Sequence, residues 1–153
     1  MDSPVVKQQM LIRRPIAEVF EAFVDPAITT KFWFTKSTGR LEPGKRVRWE
    51  WEMYGVSADV TVKAVEPLRR ISIEWDNPPV AVEWKFTPYT GHATMVEISS
   101  SGFRGADNEV VAQALDSMGG FSFLLAAAKA LLEHNTLLTL VADHNPEAHK
   151  KQE

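Results

Sequence analysis

Residues 107–134 read DNEVVAQALDSMGGFSFLLAAAKALLEH, and the period of their apolar positions decides the fold. Val110, Ala114, Met118, Phe121, Leu125, Ala128 and Leu132 step by three or four, so a helix puts them on one face. Val111, Leu115, Leu124 and Leu131 widen that face. Asp107 is the expected N-cap and Asn135 the expected stop. The pattern fits one helix about 40 Å long at about 1.5 Å per residue, or two helices broken at Gly119–Gly120. The glycines leave two readings open: a junction or close packing, or a kink that lets the first half move as a lid. Either way, so wide an apolar stripe requires a large partner surface.

The chain between Gly39 and Ser101 supplies one. Val47, Trp49, Trp51 and Met53 alternate with Arg46, Arg48, Glu50 and Glu52, a two-residue period that predicts a strand with one wet face. After Tyr54-Gly55, Ala58, Val60, Val62 and Ala64 alternate with Asp59, Thr61 and Lys63. Ile71, Ile73 and Trp75 continue the inward set, then Val80, Val82, Trp84 and Phe86, then Thr94, Val96, Ile98 and Ser100. Short strands at this spacing, joined by Asp76-Asn77-Pro78-Pro79 and by a turn between Pro88 and Gly91, predict an antiparallel meander. On the wet face, Arg48, Glu50, Glu52, Asp59, Glu74 and Glu83 are expected to pair across strands, for example Arg48 or Lys63 with Glu83.

Ahead of the meander, residues 5–13 suit an edge strand. Pro15–Val24 and a second short helix capped by Asp25-Pro26 follow, the latter ending in Lys31-Phe32-Trp33-Phe34. Beyond the long helix, residues 136–141, TLLTLV, either add a helical turn against the domain or form a dimer contact. Residues 143–153 read as a polar tail, leaving one domain over 1–153, ordered over about 5–142.

A net charge of −3 without a basic run argues against nucleic acid as the main partner. With no cysteine there are no disulfides and no thiolate chemistry. The start, MDSPVVKQQ, lacks the apolar core of a signal peptide, and no uninterrupted apolar run approaches the ~20 residues of a membrane span. The expectation is a cytoplasmic protein. His92, His134, His144 and His149 fall in turns or the tail without metal-ligand spacing, so no metal is expected. No Ser-His-Asp spacing, HExxH or phosphate loop occurs, so no catalytic residue is assigned and no cofactor is implied.

The order strand, two short helices, meander, long helix resembles the helix-grip fold of the START-like (SRPBCC) superfamily. Ile12-Arg13-Arg14-Pro15-Ile16-Ala17-Glu18-Val19-Phe20, Val24-Asp25-Pro26 and Phe32-Trp33 resemble the opening of the branch named for activators of the 90-kilodalton heat-shock-protein ATPase. Gly39-Arg40-Leu41-Glu42-Pro43-Gly44-Lys45, Phe86-Thr87-Pro88 with Gly91 and Thr94–Ile98, and Gly120-Phe121 through Leu131-Leu132-Glu133-His134 extend the likeness over roughly residues 8 to 135. It implies an α+β helix-grip fold: a curved antiparallel sheet around the long C-terminal helix. It also implies a pocket between them for a small hydrophobic or aromatic molecule. The eukaryotic activators engage the chaperone through an additional N-terminal domain, for which this length leaves no room.

The tryptophans on the inward strand face support two readings, a packed aromatic core or the lining of that pocket. On the second, Phe23, Phe32, Trp33, Trp49, Trp51, Trp75, Trp84, Met118, Phe121 and Leu125 are the expected ligand-binding residues. A co-chaperone or interaction module with a filled core, and a cyclase- or hydrolase-like enzyme using the same pocket, are the alternatives. A closed core would favour the first of these, and an inward carboxylate or tyrosine without a partner the second.

Overall fold

The computed structural model describes residues 3–76 and 78–147. Strand β1 (Val6–Ile12) is followed by helices α1 (Ile16–Val24) and α2 (Pro26–Thr29). Strands β2 (Lys36–Ser37), β3 (Arg46–Trp51), β4 (Val56–Glu66), β5 (Arg70–Trp75), β6 (Val80–Thr90) and β7 (Ala93–Ser101) come next, then α3 (Asp107–His134) and a short α4 (Leu140–Asp143). The strands form one antiparallel sheet in the order β1-β7-β6-β5-β4-β3-β2. This is the expected α+β helix-grip architecture.

Alternation fixes the inner face. Val47, Trp49, Val60, Val62, Ile71, Ile73, Val82, Trp84, Phe86, Val96 and Ile98 are buried, while the residues between them face outward or are only half-covered. Two departures from strict alternation matter. β3 stops at Trp51, and Glu52–Tyr54 coil into a 3-10 turn closed by Gly55 at φ +62°, so Met53 is not a strand position. A register shift follows Val62 in β4, so that Ala64 pairs with Ser72 and Val65 with Ile71. Val65, not Ala64, therefore packs against the core.

The wet face is paired as expected in kind but with other partners. Arg48 lies 3.7 Å from Asp59, Lys63 4.0 Å from Glu74, and Glu83 3.8 Å from Arg70. β5 stands between β4 and β6, so Lys63 meets Glu74 of β5 rather than Glu83 of β6.

The polar groups that do enter the core bond locally. Thr94 Oγ1 donates to the Arg14 carbonyl at 2.9 Å, Ser100 Oγ to Ala81 at 3.0 Å, and Thr29 Oγ1 to Ala22 at 2.6 Å. α2 is capped as expected, Asp25 Oδ1 accepting the Ala27 N–H at 2.9 Å.

α3 runs unbroken through Gly119–Gly120. It starts one residue earlier than expected, with Ala106 as N-cap, and ends at Asn135 in the left-handed region, φ 50°. Its second half is core: Phe121, Leu124, Leu125, Ala127, Ala128 and Leu131 are buried. In its first half only Val110 is buried. Val111, Leu115 and Met118, expected on the buried face, are 41%, 65% and 41% exposed. A Cβ added at either glycine would meet nothing within 4 Å, so neither marks close packing. By length and composition α3 would pass for a membrane-crossing helix, but here it is the core helix gripped by the sheet.

Of residues 136–141, the last part packs against the domain. Leu140 packs against the core, and the Tyr54 hydroxyl donates to the Val141 and Ala142 carbonyls, holding α4 down. Leu137 and Leu138 stay exposed. His144, expected in a solvated tail, sets its ring 4.7 Å from Phe123. His149 and the rest of 148–153, like Asn77, lie outside the described residues.

Candidate functional site

The inner sheet face and the segment after α2 bring the tryptophans together, as the alternation implied. Trp33 sits at their centre, with ring centroids 5.0 Å from Trp49, 5.8 Å from Trp51, 5.9 Å from Trp84 and 6.1 Å from Trp75. Phe34 stacks on Trp49 at 4.6 Å and 18°. Edge-to-face and offset contacts of this kind add to burial alone. The middle of the expected pocket is thus filled by Trp33. Trp84 is fully buried, and its indole N–H is the buried side-chain donor without a hydrogen-bond partner among the described residues. Such a donor costs about 1–3 kcal/mol, which the surrounding ring contacts must offset.

Larger but more polar openings lie on the outer face of the sheet; between the sheet and α3 the open space lies at one end. There the first half of α3 stands away from the ends of β3, β4 and β5, leaving a cleft of about 300 Å³. Trp51 and Trp75 form its apolar walls, their rings 6.4 Å apart and at 72° to one another. Ala58, Val80 and Phe103 complete the floor. Gln113, Asp116 and Ser117 border it from α3, and Asp76 and Ser57 from the strand ends.

The backbone around the cleft is specialised. Asp76 leaves β5 in the left-handed region at φ 68°, which aspartate tolerates better than most residues. Gly102 has φ +96°, and a Cβ there would lie 3.2 Å from the Pro79 carbonyl, so the loop after β7 can approach the start of β6 only with glycine at this position. Gln113 Nε2 donates to the Arg104 carbonyl at 2.9 Å and ties that loop to the helix.

A second, smaller groove of about 180 Å³ lies between the end of α2 and the C-terminal segment. Phe32, Trp33 and Met53 line one side and Leu138 and Val141 the other. Tyr54, which fastens this segment, has its phenol pushed above the ordinary value by burial, reinforced by Asp143.

Of the ten expected ligand-binding residues, Trp51 and Trp75 line the cleft, and Phe32 and Trp33 line the second groove. Phe23, Trp49, Trp84, Phe121 and Leu125 are core, none more than 4% exposed. Met118 lies on the exposed side of α3 and is not among the residues lining either opening. The sequence reading missed Phe103, Asp76 and the helix trio Gln113, Asp116 and Ser117. The trio was findable: Asp116 and Ser117 follow Gln113 by three and four residues, so both neighbour it on a helix otherwise read for its apolar face.

Residues 13–133 match the family described as Activator of Hsp90 ATPase homolog 1-like protein. No curated protein matches the chain. Among solved structures, the chain is similar to the protein SSP2350 from Staphylococcus saprophyticus, at 27% identity and a TM-score of 0.77, over 89% of this chain and 96% of that one. It is similar to MLL2253 from Mesorhizobium loti at 22% identity and 0.75, over 88% and 100%. It is similar to the Aha1 dimer from Colwellia psychrerythraea at 12% identity and 0.75, over 87% and 98%. The last two, at such low identity, speak to the fold alone.

Proposed function

The chain belongs to the Activator of Hsp90 ATPase homolog 1-like family, and from that premise we propose that it binds a small hydrophobic or aromatic molecule between the sheet and α3. The observation that carries this reading is the cleft of about 300 Å³ walled by Trp51 and Trp75 under the half of α3 that the core does not hold. Two half-buried indoles and Phe103 offer apolar area, and apolar area removed from water stabilises a complex by about 25 cal/mol per Å² before ordering costs. The polar border at Gln113 and Ser117 supplies orientation, as in small-molecule sites generally.

The test is native mass spectrometry of freshly purified protein, followed by identification of whatever dissociates. A stoichiometric apolar or aromatic adduct supports the reading. A clean mass, together with tryptophan fluorescence that stays flat across a panel of hydrophobic compounds, removes it. One observation favours the second reading, an interaction module. The centre of the fold is closed by Trp33, while Val111, Leu115 and Met118 form an exposed apolar strip on α3.

A further inference from the structure

The charged residues that line the cleft, Asp76 and Asp116, are of one sign, and the Arg48 guanidinium that reaches its border at Ser57 Oγ, 2.8 Å away, is shared with Asp59. Two nearby carboxylates on the outer face of the sheet are engaged, Asp59 with Arg48 and Glu74 with Lys63. Among the described residues Asp76 and Asp116 have no such cation within 4.0 Å. Gln113 donates one amide N–H to the Arg104 carbonyl, and its amide oxygen remains to accept. The two tryptophan walls meet at 72°, a corner of π-faces.

We propose that the cleft takes an organic cation: an aromatic or hydrophobic body carrying a protonated or quaternary amine. This rests on the ligand-binding reading above and names the chemical class of its ligand. The body fills the corner between Trp51 and Trp75. The ammonium lies against an indole face, which attracts cations through its quadrupole, with Asp76 and Asp116 neutralising it at the mouth. Because both carboxylates face water, they select the sign of the ligand more than they hold it. Carboxylates and fatty acids of the same shape are disfavoured, since no cation is among the described residues that line the cleft.

Three probes with one ring system separate charge from shape: naphthylmethylammonium, naphthylacetate and ethylnaphthalene, all substituted at the same ring carbon. Each is titrated at neutral pH while the indole N–H signals of Trp51 and Trp75 are followed by nitrogen-15 NMR. The ammonium should bind about tenfold tighter than the neutral probe, and the carboxylate more weakly than either. Both indole signals should move. Added salt should weaken only the ammonium. In Asp76→Asn/Asp116→Asn, which keeps residues that tolerate the left-handed and helical positions, the ammonium should fall to the affinity of the neutral probe, whose own affinity stays put. Equal or tighter binding of the carboxylate, a preference that survives the double variant, or unmoved Trp51 and Trp75 signals would overturn the inference. Binding of all three at the tryptophans without preference overturns the cation assignment alone. Binding of none there overturns the ligand reading with it.

Discussion

The Glu133 carboxylate accepts the backbone N–H of Arg13 at 2.8 Å, joining the last turn of α3 to the segment that leaves β1. Lys129 Nζ sits between the same elements, donating to the Leu11 carbonyl at 2.7 Å and to Glu133 at 2.5 Å. The helix that carries the cleft on its free half is anchored here at its other half.

That anchor makes stability depend on pH in a defined direction. Burial by itself would push the Glu133 carboxyl up, but the Arg13 N–H, Lys129 and His134 outweigh it and hold the group below its ordinary value of 4.5. A depressed carboxylate stabilises the folded state above the unfolded-state value and loses that contribution as pH falls through the folded one. Glu133→Gln should therefore cost about 1.5–3 kcal/mol near pH 7, the worth of hydrogen bonds to a charged group. The gap between variant and parent should narrow toward pH 3. Urea midpoints at the two pH values measure it, and a gap that does not change with pH would refute the charge as its source.

Gly119 and Gly120 lie inside a continuous helix with open space where a Cβ would go. Glycine in a helix interior costs about 1 kcal/mol relative to alanine. Gly119→Ala/Gly120→Ala should therefore raise the melting temperature by roughly 4–8 °C, at about 2–4 °C per kcal/mol for a chain of this size. If the pair were a working hinge, the alanines would also slow uptake of a bound molecule. Calorimetry and stopped-flow binding together separate these, and a lowered melting temperature would mean that the glycines meet a constraint this geometry does not contain.

The strand faces, the Asp25 cap and the Asn135 stop were legible because each rests on a local rule: a two-residue period, a side-chain cap or a left-handed C-terminus. Depth was not. Periodicity says that Trp49, Trp51, Trp75 and Trp84 look inward, but whether they enclose a space depends on Trp33, which arrives from outside the sheet and fills it. The shift after Val62 and the exposure of Met118 were equally hidden. A bulge is a matter between two strands, and a helix's apolar face says nothing about where its partner surface ends. Asp76 and Phe103 lie in connections, where no period operates.

Tyr54 closes the second groove by donating to the Val141 and Ala142 carbonyls. Tyr54→Phe should free residues 140–144, seen as faster amide exchange there, and cost about 1 kcal/mol, the net worth of an ordinary hydrogen bond. Burial raises the phenol above its ordinary value of 10.0. The contribution is therefore complete below pH 10 and disappears as pH rises through the raised value, because the phenolate cannot donate. Exchange at 140–144 that is indifferent to the substitution would show that packing of Leu140 and His144 retains the segment without the Tyr54 hydroxyl.

Trp49 and Trp51 are two residues apart on one strand face yet belong to different parts of the molecule. Trp49 is 1% exposed and stacked on Phe34, so Trp49→Ala should cost about 3–5 kcal/mol, as large core truncations do. Trp51 is half-buried at the cleft, and its loss should cost clearly less. Binding should reverse the order. Trp51→Ala removes a wall and should weaken an aromatic ligand at least tenfold, since burying an aromatic ring face contributes well over the ~1.4 kcal/mol that a factor of ten requires. A milder core change, Trp49→Phe, should leave that affinity nearly unchanged. Denaturation midpoints paired with titrations of the same three variants decide it. If Trp49→Phe abolished binding while Trp51→Ala preserved it, the ligand would sit in the space that Trp33 fills and not at the end of the sheet.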